Sequence, residues 1–335
     1  MAESLLDVQG LKVDIPLATG TLHAVRGIDF AVDKGETLCI VGESGCGKSL
    51  TSLALMNLLP RTAKRSADRL QFDGIDLLTY SEHGYSRLRG SRMAMIFQEP
   101  MTSLNPAYTI GDQLTEALLT HQPGSRRKAR DRAIYLLERV GITGAANRLS
   151  QYPHQLSGGL RQRVMIAMSL MCGPDLIIAD EPTTALDVTI QAQILHLLAE
   201  LQRELGMALI LITHDLGIVA RIAHRVAVMY AGQVVETGTT EEVFNAPQHP
   251  YTLGLMDCIP VPGKTERGAR LGSIPGVVPS LIGDLSGCAF RGRCPFATSQ
   301  CDDAPRLRDI SRDRACRCHF RPEERRVTAE LVPGP

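Results

Sequence analysis

Neither sign of charge dominates this chain: 36 Lys and Arg balance 36 Asp and Glu. That removes the global electrostatic argument for nucleic acid or an anionic membrane surface as the main partner. Long apolar runs are missing too. The longest stretches, such as Val164 to Cys172, are broken by polar residues or by Gly173-Pro174-Asp175, well short of the roughly 20 residues a membrane-spanning helix needs. The start, Met1-Ala2-Glu3-Ser4, has no basic n-region or apolar h-region, so a chain that stays inside the cell is expected. Any membrane association must then come through partners. With 44% hydrophobic and 21% charged residues, neither disorder nor a fibrous repeat is indicated. A length of 335 residues exceeds one ordinary domain and points to a main domain plus an extension.

Short continuous apolar runs at Thr37 to Val41, Leu176 to Ala179 and Ala208 to Ile212 read as buried parallel strands. Between the last two, Ile190, Ile194, Leu197, Leu198, Leu201 and Leu205 repeat at helical spacing and predict a helix crossing over one sheet face. Helix-compatible sequence also follows the first strand, from Lys48 to Leu59. The fold class is therefore α/β. Residues from about 100 to 155 lack strand runs and contain Ser125 to Val140, a helix with Ser125 as N-cap and a stop at Gly141. Beyond Glu236-Thr237-Gly238, frequent prolines mark an irregular extension beginning near 246. The expected layout is a core at 1–99 and 161–245, a helical insertion at 100–160, and an extension at 246–335. The motifs below do not repeat, so one nucleotide module is expected per chain.

Gly42-Glu43-Ser44-Gly45-Cys46-Gly47-Lys48-Ser49 fits G-x-x-x-x-G-K-[ST] in full, between a strand and a helix. Backbone N–H groups of Gly42 through Leu50 would face phosphate oxygens beside a helix N-terminus. Lys48 would reach the β- and γ-phosphates, and the Ser49 hydroxyl would ligate Mg²⁺. At the end of a later strand, Asp180-Glu181 puts two carboxylates where open α/β sheets bind ligands. Asp180 would support Mg²⁺, directly or through water, and Glu181 would position or deprotonate a water. Alone, such a pair is more often a solvated loop entry. Gln98 in Ile96-Phe97-Gln98-Glu99-Pro100 and His214 in Leu211-Ile212-Thr213-His214-Asp215 end two further apolar runs.

Leu156-Ser157-Gly158-Gly159-Leu160-Arg161-Gln162-Arg163 is a second glycine-containing, phosphate-contact sequence. It resembles the signature motif of the ATP-binding-cassette ATPases, with Leu160 in place of the usual Gln. The resemblance implies a P-loop, RecA-like nucleotide-binding domain that works as a head-to-tail pair, with Ser157, Gly158 and Gly159 touching ATP held by the partner. It also implies catalytic roles for Lys48, Glu181, His214 and Gln98, Gln98 also sensing Mg²⁺, and a dimer-crossing stretch, Ala185-Leu186-Asp187. The family's adenine-stacking aromatic has no counterpart among Ile15, Leu22, His23, Ala24 and Val25, so the adenine platform is left unassigned, with an aliphatic surface or His23 as the candidate substitutes.

Met101 to Pro106, Ala246 to Thr252 and Ile274 to Pro279 resemble the ATPases of dipeptide and oligopeptide importers. That branch implies two transmembrane permease subunits, a second, related ATPase subunit, an extracytoplasmic substrate-binding protein, and work on the cytoplasmic face of the cell membrane. Nickel chelates or other small solutes are alternative cargoes. A soluble, non-transport ATPase is the alternative of another class.

Five of nine cysteines lie between 288 and 318, and in a cytosolic chain such a cluster points to metal rather than disulfides. The spacings match neither common zinc folds nor ferredoxin patterns, which leaves an iron–sulfur cluster, Zn²⁺, or no metal open. The resemblance implies a [4Fe–4S] cluster on Cys288, Cys294, Cys301 and Cys318, with Cys316 as the alternative fourth ligand.

Overall fold

The computed structural model describes residues 4–99, 103–183, 187–259 and 272–320. Among the described residues the main sheet has eight strands: β3 (Thr37–Val41), β7 (Met93–Ile96), β8 (Leu176–Asp180), β9 (Ala208–Thr213), β10 (Arg225–Tyr230), β11 (Gln233–Thr239), β12 (Arg308–Ser311) and β13 (Arg314–Cys316). Their order is β12-β13-β11-β10-β3-β9-β8-β7. From β10 to β7 the pairing is parallel. Every residue of β3, β8 and β9 is buried, which is why those strands read as continuous apolar runs rather than alternating ones. Their pleat still sorts side chains. Leu38 and Ile40 enter one core, while Cys39 and Val41 enter the other.

The first core is closed by an antiparallel sheet of β1 (Leu6–Leu17), β2 (Gly20–Val32), β4 (Lys64–Ser66), β5 (Arg69–Phe72) and β6 (Ile75–Asp76). The second core is covered by helices, including Val188–Leu205 and Gly158–Ser169. Ile194, Leu198 and Leu201 of the former are buried, as their helical spacing predicts, while Leu205 at its end is 41% exposed. Gly206, in the left-handed region at φ 64°, caps that helix. The helical insertion contains Ile110–His121 and Arg126–Arg139, and the Ser125 side chain caps the latter by accepting from the Lys128 N–H. The helix Gly158–Ser169 runs across position 160.

Two expectations are corrected. The helix that begins at Lys48 ends at Leu55, not Leu59, because Asn57 takes a left-handed φ of 53° and leaves the helical path. The extension is not wholly irregular: β12 and β13 form a hairpin that pairs with β11 and lengthens the main sheet. Ala185 and Leu186 of the dimer-crossing stretch lie outside the described residues. So do 100–102, 260–271 and 321–335.

Candidate active site

The order of the parallel strands brings the C-terminal ends of β3, β7, β8 and β9 side by side, so residues distant in sequence meet at one edge. The loop after β3 turns into the helix Lys48–Leu55 at Gly47. Gly47 has φ 99°, and a Cβ there would stand 2.4 Å from the Ala24 carbonyl oxygen, so only glycine lets the loop approach β2. Lys48 is 4% exposed. Its Nζ donates to the carbonyl oxygens of Gly42 (2.8 Å) and Glu43 (3.0 Å) and lies 3.9 Å from Glu181 Oε1. Those partners offset the cost of burying the ammonium.

Ser49 donates to Asp180 Oδ1 at 3.0 Å. Burial pushes the Asp180 carboxyl above its usual range, and the Ser49 hydrogen bond opposes that shift. The next residue leaves the strand sharply: Glu181 sits at φ 42°, a left-handed conformation that costs of order 1–3 kcal/mol and persists only where the surroundings enforce it. Its backbone N–H donates to Ile212 O at 3.0 Å, and the turn throws its carboxylate over Lys48. Glu181 Oε2 accepts from Gln98 Nε2 at 3.2 Å and lies 3.7 Å from His214 Nδ1. Lys48, Gln98, Glu181 and His214 therefore converge around one carboxylate. Ser44, Gly45, Gly47, Lys48, Ser49, Leu50, Gln98 and Glu181 line a cavity of about 170 Å³. Cys46 is buried behind the loop, its sulfur 3.9 Å from Lys48 Nζ.

Ser157, Gly158, Gly159 and Asp187 do not line this cavity. Ser157 caps the helix Gly158–Ser169, accepting from Leu160 N–H at 3.4 Å, and that first turn carries no acidic residue. Ser157 and Gly158 are exposed. The Asp187 side chain caps the helix Val188–Leu205 through Ile190 N–H at 2.9 Å. Each motif is thus the capped N-terminus of a helix, with one N–H of the first turn taken by the capping side chain.

Sequence reasoning did not find the residues that hold Glu43. Its carboxylate accepts both arms of the Arg293 guanidinium (2.6 and 2.9 Å), and its N–H donates to the Tyr251 hydroxyl at 2.8 Å. No local pattern marks a pair 250 positions apart.

The cysteine segment folds back on itself, with Cys288 N–H donating to Cys301 O at 2.9 Å. Burial raises the Cys288 thiol pKa, Cys301 and Cys318 raise it further, and the Phe290 and Arg291 N–H groups oppose this. Cys294 is pushed up to about 11 by burial and by Cys318, Cys288 and Cys301, against the Phe296 N–H. Cys316 lies in β13, fully buried and opposite Glu236. Among the described residues, no three His, Cys, Asp or Glu side chains are placed together as a metal-holding group.

Residues 25–184 match the ABC transporter family, and residues 235–301 match the oligopeptide/dipeptide transporter C-terminal region. The chain is 51% identical over 318 residues to the dipeptide transport ATP-binding protein DppD of Escherichia coli (strain K12), covering 95% of this chain and 97% of that one. It is 53% identical over 301 residues to DppD of Bacillus subtilis (strain 168), covering 90% and 89%. Among solved structures it resembles CbiO1 from Clostridium perfringens, part of the ABC transporter complex CbiONQ, with TM-score 0.63 and 32% identity over 73% of this chain and 92% of that one. It also resembles the dimeric post-hydrolysis state of the ATP-binding cassette MJ0796 bound to ADP and Pi, with TM-score 0.63 and 25% identity over 70% and 98%.

Proposed function

Since the chain belongs to the family of ATP-binding subunits of ABC transporters, we propose that it hydrolyses ATP to power uptake of dipeptides or oligopeptides across the cytoplasmic membrane. The carrying observation is the convergence of Lys48, Gln98, Glu181 and His214 at the sheet edge. In this reading the triphosphate lies along the Lys48 loop, and Lys48 exchanges its two carbonyl partners for the β- and γ-phosphates. The Ser49 hydroxyl, Asp180 carboxylate and Gln98 carbonyl are hard oxygen donors suited to Mg²⁺, which when bound neutralises phosphate charge. Glu181, restrained between Gln98 and His214, accepts a hydrogen bond from the attacking water and aims it at the γ-phosphate. Ser157 and Gly158, both exposed, and Gly159, none of them lining the cavity of their own chain, complete the site of a second, related ATPase subunit, and Asp187 lies at that junction.

ATP then acts as the joint between two cassettes, and hydrolysis removes it. Two transmembrane permeases receive that movement, and an extracytoplasmic binding protein supplies the cargo. What supports the permease contact is a cavity of about 310 Å³ between core and helical insertion, with Met95, Phe97, Met165 and Met168 in its lining. Phe97 is 40% exposed and adjoins Gln98, so a permease segment seated there would bear directly on the catalytic glutamine. Among the described residues no helix is long and apolar enough to cross a membrane. Reconstituted with its permeases and binding protein, the complex should accumulate a labelled dipeptide in vesicles loaded with ATP, and Glu181→Gln should stop it. Accumulation of nickel chelates but not peptides would reassign the cargo.

The extension offers a second site. Cys288, Cys294, Cys301 and Cys318 carry a [4Fe–4S] cluster in this reading, supported by four thiols in one loop-rich stretch and by the fold-back in which the Cys288 N–H donates to Cys301 O. The role is structural, tying the hairpin β12–β13 to the segment 288–301. Anaerobically purified protein should contain about four irons and four sulfides per chain. Zinc in their place would substitute a mononuclear site, and neither metal would remove the proposal.

A further inference from the structure

The phosphate loop carries an acidic residue, Glu43, which by charge alone should repel a triphosphate. The structure turns that carboxylate backward onto Arg293. Arg293 Nη1 and Nη2 take one oxygen each at 2.6 and 2.9 Å. Its remaining N–H groups go to Pro275 O (2.9 Å), Ile274 O (3.0 Å) and, at 3.5 Å, the Tyr230 hydroxyl. The Arg293 side chain is 5% exposed and its guanidinium lies 5.8 Å from the Tyr230 ring centre and 6.0 Å from that of Phe290. A guanidinium so placed is saturated, so it has no donor left to offer a phosphate directly. The fork holds the carboxylate in one orientation, which a lysine could not do.

The backbone at the same residue is held independently. Glu43 N–H donates to Tyr251 OH at 2.8 Å, and Tyr251 is fully buried against Tyr230 and Phe290. The Glu43 carbonyl is one of the two that Lys48 must release when phosphate arrives. When it does, the Glu43 carbonyl oxygen keeps only the Cys46 N–H at 3.4 Å, while the Glu43 side chain and N–H stay held from beyond position 250, by Arg293 and Tyr251.

We propose that the C-terminal extension completes the phosphate site of its own chain, with Arg293 as a positioning residue that neutralises Glu43 and, together with Tyr251, fixes the Gly42–Glu43 backbone for ATP. This rests on the reading of the Lys48 loop as the ATP site. Arg293 also adjoins Cys294, so disturbance of the cysteine segment reaches the phosphate loop through one residue.

A tenfold change in affinity corresponds to about 1.4 kcal/mol, the order of one charge-assisted hydrogen bond. Arg293→Ala should therefore weaken binding of a fluorescent ATP analogue to the full chain by about tenfold. In the assembled complex KM for ATP should rise by a similar factor, with kcat changed by less than about threefold. Arg293→Lys should fall between the two. The deciding variant is the double substitution Glu43→Gln with Arg293→Ala: with the carboxylate gone, affinity should return to within about threefold of wild type, a rescue that a general loss of folding does not give. Tyr251→Phe keeps the ring and should weaken binding by a few-fold. Unchanged affinity in Arg293→Ala, or no rescue in the double variant, overturns the proposal. Failure of the unaltered chain to bind the analogue overturns the reading of the site itself.

Discussion

Gly47 and Gly45 stand in the same loop with left-handed backbones, φ 99° and 80°, yet their surroundings differ completely. A Cβ on Gly47 would lie 2.4 Å from the Ala24 carbonyl oxygen, whereas a Cβ on Gly45 would meet nothing within 4 Å. Both alanine substitutions incur the left-handed cost, about 1–2 kcal/mol per residue. Gly47→Ala adds a clash with the backbone of β2, which is pinned on one side by its ladder with β1 and cannot swing away as a side-chain tip would. Overpacking of that kind costs about 1–3 kcal/mol, so Gly47→Ala should lose about 3 kcal/mol in all and Gly45→Ala about 1 kcal/mol. Urea unfolding of the two variants, with unchanged slope, should place the Gly47→Ala midpoint clearly below that of Gly45→Ala. Equal midpoints would refute the steric argument and leave the glycines explained by phosphate contact alone.

Asp180→Asn should abolish Mg²⁺-dependent hydrolysis while raising stability at neutral pH, as measured by thermal unfolding. Burial raises the Asp180 pKa in the folded chain, so its ionisation costs stability as pH rises from the ordinary aspartate range through the raised value; the asparagine variant should lose that fall, and a parallel pH profile would contradict it. Ser157→Ala removes the cap of the helix Gly158–Ser169 and should cost about 1 kcal/mol; it should also abolish ATP-driven association of cassettes, seen by sedimentation with Glu181→Gln as background. Cys316→Ala should leave the iron content unchanged, because that thiol belongs to β13, whereas Cys294→Ser should lower it, as read by iron and sulfide assay.

The parallel core was legible because buried parallel strands leave no polar alternation: Thr37–Val41, Leu176–Ala179 and Ala208–Ile212 read as short apolar runs. Gln98, Glu181 and His214 were readable as candidates since each follows such a run, and the strand order then places them together. The clamp on Glu43 was not legible. Arg293 lies in a short 3-10 turn, Arg291–Arg293, in a segment with no periodicity, and surface arginines look the same in sequence. The hairpin Arg308–Ser311 and Arg314–Cys316 was missed for a similar reason: its exposed first strand is polar, and only Ala315 and Cys316 mark an apolar side. The early stop of the helix at Leu55 had a signal in Asn57, a residue that tolerates the left-handed region, followed by Pro60.

The central claim is that Glu181, held by Gln98 and His214 above Lys48, turns ATP hydrolysis into peptide import. The direct measurement is ATP turnover by the complex of this chain with its permeases and binding protein in lipid, titrated with dipeptides. The account predicts turnover stimulated by peptide and reduced at least a hundredfold by Glu181→Gln, with ATP still bound. Turnover that persists in Glu181→Gln, or that no peptide alters, would contradict it.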